Sequence, residues 1–347
     1  MSLMYKEAKE IPSVIQAQLT HYAKIMPTII QRIQQFNPTF VMTVGRGSSD
    51  HATAFAKYLF EIQLGLVTAS SAPSVNTLYH SNLKVDSALV MAFSQSGQSR
   101  DICEVLKQAR AAGALTVACV NHEDSPLAQL ADIVIPLYAG TELAVAATKS
   151  YVAALVMIVA FVAYWKADEN LFLALKALPE RCLQAQGVDW ALLSKELALQ
   201  NHAIVLGRGY TFPIALEAAL KLKETCKLHA EAFSSAEVLH GPFALMRQNF
   251  HLLVFMPSDQ AAQGMEQLLE QLKKIATKSY LAIPKDKISD IWKDKVHALL
   301  PLPDSLHPLC DPIVAIQAFY LMVEACARLK NLNPNKPDHL SKVTDTL

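Results

Sequence analysis

The sequence predicts an α/β protein built from two copies of one unit, each a parallel sheet covered by helices on both faces. Three observations predict it. Short apolar, β-branched runs alternate with helix-patterned stretches through most of the chain. An apolar run ending in Gly-Arg-Gly occurs twice, as Val41-Met-Thr-Val-Gly-Arg-Gly47 and as Ala203-Ile-Val-Leu-Gly-Arg-Gly209, and a helical pattern follows each. The chain has 347 residues, and single cores stop growing at about 250–300 residues.

Taken in order, residues 5–36 carry apolar positions at helical spacing, with Pro12 and Pro27 placed at helix starts. Residues 39–44 read as a strand that runs through Gly45-Arg-Gly-Ser-Ser49 into a helix over 50–62. Then come a strand at 66–70, a short helix near Val75, a strand at 87–93, the turn Ser94-Gln-Ser-Gly-Gln-Ser99 and a helix over 101–112. A strand at 115–120, a short helix capped by Ser125-Pro126 and a strand at 133–137 complete the first copy. An apolar helix ends near Trp165. After the second Gly-Arg-Gly strand the chain predicts a strand at 252–256, a helix over 260–276, a strand at 279–283 and a closing apolar helix over 312–329. The division expected is a helical arm at 1–36, a first domain at 37–166, a charged helical connector at 167–200, a second domain at 201–330 and a tail at 331–347, irregular at Pro334 and Pro337 and held over another part of the molecule.

Composition narrows the function. With 31 basic and 31 acidic residues the formal net charge is zero, and 52% of residues are hydrophobic. That argues against disorder and against a nucleic-acid partner, and leaves any anion to be bound by local groups. Six scattered cysteines form no C-x-x-C pair and no metal cluster, and read as reduced core thiols. The N-terminus lacks the pattern of a signal peptide. The longest apolar run, 150–165, lies between Lys149 and Lys166; it falls short of the roughly 20 residues of a membrane span and reads as a buried helix. A soluble, cytoplasmic protein with no membrane partner is expected.

Four stretches could carry chemistry. Ala215-Leu-Glu-Ala-Ala-Leu-Lys-Leu-Lys-Glu224 is rich in helix formers, with Leu216, Ala219, Leu220 and Lys223 at helical spacing. Lys221 and Glu224 are three apart and share a face. Flanking apolar residues would partly desolvate the carboxylate and suit it to general-base work, or the two form an ordinary exposed ion pair. Ser94-Gln-Ser-Gly-Gln-Ser99 sets three hydroxyls between a strand end and a helix N-terminus, which suits a phosphate; the same residues are ordinary turn and cap formers. The Gly45-Arg46-Gly47 turn lacks the G-x-G-x-x-G spacing, since Asp50 stands where the third glycine would be, and Arg46 could pair with a phosphate or with a structural carboxylate. His240, one of eleven histidines, precedes Gly241-Pro242, a rigid turn that would present its imidazole as a candidate acid or base; Lys342 in the tail is unremarkable alone.

Together the two Gly-Arg-Gly turns, the Ser94 to Ser99 loop, Val145-Ala-Ala-Thr-Lys149, the 215–224 helix and His240-Gly-Pro242 resemble the double sugar-isomerase (SIS) family, of which the isomerase half of glucosamine-6-phosphate synthase is a member. The resemblance runs from about residue 37 to the end. It implies two SIS subdomains, each a flavodoxin-like three-layer αβα sandwich, with a sugar phosphate held by Ser94, Gln95, Ser96 and Ser99 and by the 45–48 turn (Gly45, Arg46, Gly47, Ser48), with Val145 beside it. Glu224 matches the base that moves a proton between C1 and C2, and Lys221 would orient or charge-balance it. His240 matches the ring-opening histidine, which in the family reaches across from a neighbouring subunit, so a homodimer with shared sites is implied. Lys342 matches a C-terminal lysine able to form a Schiff base with a ketose, on a looser fit.

Departures from the synthase refine the expectation. No glutaminase segment and no Cys at position 2 are present, which implies that glutamine is not the nitrogen donor, and residues 44–61 with Ser71-Ala-Pro-Ser74 resemble the SIS-type class of glucosamine-6-phosphate deaminase. The implied reaction is deamination of glucosamine 6-phosphate to fructose 6-phosphate and ammonia, without metal or redox cofactor. Alternatives are galactosamine-6-phosphate deaminase, fructosamine-6-phosphate deglycase, aldose–ketose isomerase, or a non-catalytic sugar-phosphate sensor.

Overall fold

A computed structural model describes residues 1–342, in two compact units. One comprises Met1–Pro12, Leu143–Thr148 and Ala177–His339; the other comprises Ser13–Glu142, Lys149–Lys176 and the segment from Leu340.

In chain order the elements begin with α1 (Leu3–Lys9), α2 (Ile11–Phe36), β1 (Phe40–Val44), α3 (Ser48–Leu59), β2 (Thr68–Ser70), α4 (Pro73–Thr77) and β3 (Ala88–Ser94). They continue through α5 (Arg100–Ala111), β4 (Leu115–Val120), α6 (Pro126–Leu130), β5 (Ile133–Pro136) and α7 (Lys149–Lys166). The five strands form one all-parallel sheet in the order β2-β1-β3-β4-β5. β3 and β4 are buried along their whole length, as central strands covered on both faces must be. Met42, Val90 and Ala118 of the sheet pack with Ile102, Val105 and Leu106 of α5 and Leu127 of α6.

Pro27 does not start a helix; it lies inside α2, exposed. Proline removes one backbone hydrogen bond, but Ile15, Gln18, Tyr22, Met26, Ile30 and Ile33 form a continuous buried stripe that carries the helix through. Gln18 Nε2 donates to Tyr22 Oη and to the Ala153 carbonyl, each at 2.8 Å, and Tyr22 Oη donates to the Pro136 carbonyl at 2.9 Å.

The other unit contains α9 (Ala191–Ala198), after α8 (Glu169–Ala185), then β6 (His202–Gly207), α10 (Phe212–Cys226), β7 (His229–Ser234) and β8 (His251–Phe255). It ends with α11 (Met265–Lys274), β9 (Lys278–Pro284), α12 (Asp290–Lys293), β10 (Ala298–Leu302) and α13 (Asp311–Leu329). Its sheet is again all parallel, in the order β7-β6-β8-β9-β10, the same topology as the first with each strand shifted by one copy. The internal repeat seen in the sequence is therefore a repeat of whole sheets. Two strands, β7 and β10, were not expected; both are edge strands. Helices α7 and α13, of 18 and 19 residues, are long and apolar enough to cross a membrane, but most of each is buried within the protein. Burial, not length, marks them as core helices.

At the start of strands β8, β9 and β10 a polar cluster closes the sheet around Glu196 of α9. The carboxylate accepts from Lys278 Nζ and Tyr280 Oη at 2.6 Å, His251 Nε2 at 3.1 Å and His297 Nε2 at 3.3 Å. Partial burial alone would raise its pKa, but these four bonds outweigh it and hold the pKa at about 2. A depressed carboxylate pKa gives stability that is present above the ordinary value and lost as pH falls through the folded value. Glu196→Gln should therefore lower stability at pH 7 by roughly 1–3 kcal/mol, and the gap to wild type should close as pH falls from about 4.5 towards 2. Urea denaturation at stepped pH measures this; a gap independent of pH would contradict it.

Candidate active site

In an open parallel sheet of this order, ligands bind beyond the carboxyl ends of the strands where the chain order reverses, here between β1 and β3. The Gly45 turn and the Ser94 loop leave those two adjacent strands, so the structure brings these predicted residues together. Gly45 is required by close approach: a Cβ there would lie 2.8 Å from the Ser49 carbonyl carbon, so the strand could not turn this tightly into α3 with any side chain. Gly47 and Ser48 then open α3.

The serine loop is held from outside and from within. Asn121 and Leu127 N–H groups donate to the Gln95 and Gly97 carbonyls, at 3.2 and 3.1 Å. Ser94 Oγ accepts from Gly97 N at 3.0 Å and Ser96 Oγ from Gln98 N at 3.3 Å. Gly97 has φ +65°, and a Cβ there would strike Ser125 Oγ at 2.1 Å. Each serine oxygen accepts one bond inside the loop and still has its O–H to donate, so both hydroxyls retain a proton that an anion could accept. Ser99 occupies the N-cap of α5 without making a side-chain capping bond. The loop is thus both an ordinary turn and a set of neutral donors at a helix N-terminus. Arg46 is paired with a carboxylate: its Nε and Nη2 both donate to Asp101 Oδ2, at 2.9 and 2.7 Å, and Asp101 is buried while half of the arginine side chain stays exposed. Of the two partners open to Arg46, the structure shows the carboxylate.

In the same unit Lys342 is tied down. Its Nζ lies 2.9 Å from Oε2 of Glu142, which is buried and also accepts from Ser150 Oγ at 2.6 Å and, through Oε1, from Ser150 N at 3.2 Å. The tail lysine is therefore part of a fixed polar group rather than a solvated end.

In the other unit the 215–224 stretch is helical as expected, within α10, which begins with Pro213 in its first turn and ends at Lys227 in a left-handed conformation. Its inward face is not the one the apolar spacing indicated. Leu216 and Leu220 are half-buried and Lys223 is exposed, while Glu217, Ala218, Lys221, Leu222 and Thr225 point inside. Lys221, 1% exposed at its side chain, sits between Glu217 at 3.4 Å, which is wholly buried, and Glu224 at 2.5 Å, which keeps 19% of its side chain exposed. Tyr320 of α13 donates to Glu217 Oε1 at 3.2 Å. Burial pulls the Lys221 pKa down, but the two carboxylates outweigh it and raise it above the ordinary lysine value. The two carboxylates thus favour the ammonium form, and Glu224 is the acid of this three-residue group that keeps exposed surface.

Glu217 was missed in the sequence, although it lies four before Lys221 and seven before Glu224 on the same face; a count of charged rather than apolar periodicity would have found it. Glu142 and Asp101 gave no local signal. His240 ends a short 3-10 turn, Glu237–His240, after β7, and is exposed. Val145 is half-buried, and its N–H donates to the Asn335 carbonyl at 3.0 Å. Among the described residues no group of three or more His, Cys, Asp and Glu is placed to hold a metal ion.

A family model described as the SIS domain matches residues 39–164 and again 196–327. The isomerizing glutamine–fructose-6-phosphate aminotransferase of Thermotoga maritima is 30% identical over 357 residues, which take in 98% of this chain and 58% of that enzyme. The chain thus spans little more than half the length of the curated relatives it matches. A protein from Silicibacter pomeroyi DSS-3 designated a phosphosugar isomerase shares 37% identity, with a TM-score of 0.89 over 96% of this chain and 100% of its own. Glucosamine-6-phosphate deaminase from Thermotoga maritima superposes with a TM-score of 0.76 over 99% of this chain and 100% of its own at 22% identity, a likeness of fold alone. With two SIS matches over most of its length, and a five-stranded parallel sheet of the same order in each, the chain belongs to the SIS-domain family.

Proposed function

We propose that this protein is an isomerising deaminase that converts glucosamine 6-phosphate to fructose 6-phosphate and ammonia without glutamine. The observation that carries the reading is the Glu217–Lys221–Glu224 group: a partly open carboxylate backed by a buried ammonium that is itself already paired. In the proposed cycle the serine loop takes the phosphate through its hydroxyl and backbone donors, and His240 assists ring opening. Glu224 removes the proton from C2 of the open-chain sugar and returns it to C1, which leaves an imine at C2. Water adds to that carbon and ammonia departs. Lys221 need not change its protonation at any step. When Glu224 takes up a proton, Lys221 keeps Glu217 as counter-ion, so no buried charge is stranded. Lys342, fixed by Glu142, is assigned to the ketose end of the sugar.

The curated relatives favour a second reading, in which the chain runs the same proton transfer in the synthetic direction, as the sugar-handling half of an aminotransferase. Departures at residues 44–61 support the deaminase reading over it. We place the enzyme in the cytoplasm as a homodimer with His240 acting in trans; the six free cysteines support a reducing compartment.

The purified protein is expected to release ammonia and fructose 6-phosphate in equal amounts from glucosamine 6-phosphate. Formation of glucosamine 6-phosphate from fructose 6-phosphate only when glutamine is supplied would favour the aminotransferase reading instead. Glu224→Gln should cut kcat by about 10²–10⁴-fold while sugar-phosphate affinity measured by calorimetry stays near wild type; an unchanged kcat removes Glu224 from the role of base. Mixing Glu224→Gln with His240→Ala protein should restore part of the activity that each lacks, and a mixture as inactive as its components would show self-contained sites.

A further inference from the structure

A second candidate site lies at the far end of α5 from the serine loop. The C-terminal half of α5, α4 and the segment before β3 border a groove of about 290 Å³, lined by apolar Met42, Leu83, Val85 and Val105 and by the polar side chains of Asn82 and Gln108. Near 300 Å³ is the lower end of the range for small-molecule sites, which are apolar with a few placed polar groups. One polar side chain here is unusual. Asn76 is 3% exposed, lines the groove, and its Oδ1 has no hydrogen-bond partner.

The orientation of that oxygen is fixed by a relay. Glu104 can only accept, so Gln108 turns Nε2 to it, at 2.7 Å, and presents Oε1 to Asn76. Asn76 must then give Nδ2 to Gln108, at 2.8 Å, which leaves Oδ1 as an acceptor. The relay starts from a carboxylate, so it polarises Asn76 Oδ1 towards negative charge and strengthens it as an acceptor. An unmet buried acceptor is destabilising, and a molecule that gives it an N–H while covering the apolar wall relieves both costs together.

We infer that this groove is a binding site, separate from the sugar-phosphate loop, for a compact and largely apolar molecule carrying an N–H donor of the amide or heteroaromatic amine class, received by Asn76 Oδ1.

Benzamide and methyl benzoate make a matched pair of probes, alike in size but with and without N–H. Binding to the full chain is read by saturation-transfer NMR and by the Met42 methyl resonance, identified with Met42→Leu. Benzamide is expected to shift the Met42 methyl and to bind about tenfold more tightly than methyl benzoate. Asn76→Leu should abolish that preference. Glu104→Gln, at a half-exposed position that folding tolerates, should weaken it, because the relay can then reverse and Asn76 can turn Nδ2 outward. Equal binding of the two probes, no Met42 shift with either, as when water or a second copy of the chain fills the groove, or a preference unchanged in Asn76→Leu would each overturn the proposal.

Discussion

What α10 contributes depends on one buried cation. An ammonium taken out of water is tolerated only where carboxylates and hydrogen bonds surround it, and Lys221 has Glu217 behind it and Glu224 in front. The arrangement is asymmetric in burial, with Glu217 wholly enclosed and held by Tyr320, and Glu224 reaching partly into the open. That asymmetry divides the labour. Glu217 supplies the enclosed counter-ion of Lys221, so the ammonium keeps a carboxylate partner whatever the state of Glu224. It also explains why a helix with excellent propensity turns charged residues inward and leaves Leu216 and Leu220 half-buried.

The two sheets share one topology but not one chemistry. Both first strands end in Gly-Arg-Gly, and the arginines are used differently. Arg46 is clamped by Asp101, while Arg208 gives Nη1 to the Gln263 carbonyl at 3.2 Å. The strand beside each turn also ends differently, in Ser94-Gln-Ser-Gly-Gln-Ser99 after β3 and in Met256-Pro-Ser-Asp259 after β8. Three hydroxyls and a twelve-residue helix follow the first; a proline and a carboxylate follow the second. The repeat has kept the scaffold and confined the serine-rich loop to one copy, while α10 with its Glu217, Lys221 and Glu224 lies in the other.

Sequence reasoning reached most of this architecture for a physical reason. Central parallel strands are buried on both faces, so they are written as continuous apolar runs, and β3, β4, β6, β8 and β9 stand out. Edge strands carry a weaker signal. In β7 only Ala230 is fully buried, and the strand includes Ala230, Glu231 and Ala232, poor strand formers; β10 contains Pro301, which an edge tolerates because a proline has no N–H to pair. Pro27 misled for the opposite reason, since tertiary packing along α2 overrode a local rule. At the site, Lys221, Glu224 and the serine loop were legible because their chemistry lies in local spacing. Asp101, Glu142 and Tyr320 were not, because each acts through a partner distant in sequence.

The neutral character of the whole chain fits this division. The chain has no net charge to draw in an anion and Arg46 is paired with Asp101, so the neutral donors that the serine loop offers are its hydroxyls, its backbone N–H groups and the N-terminus of α5. Donors of this kind can orient an anion without placing a further cation beside it. Fixed positive charge sits instead at Lys221, buried between two carboxylates, and at Lys342, held by Glu142. Lys342 is held by a carboxylate more buried than itself, and Lys221 lies between the enclosed Glu217 and the more exposed Glu224, so a chain without net charge keeps two cations in fixed positions.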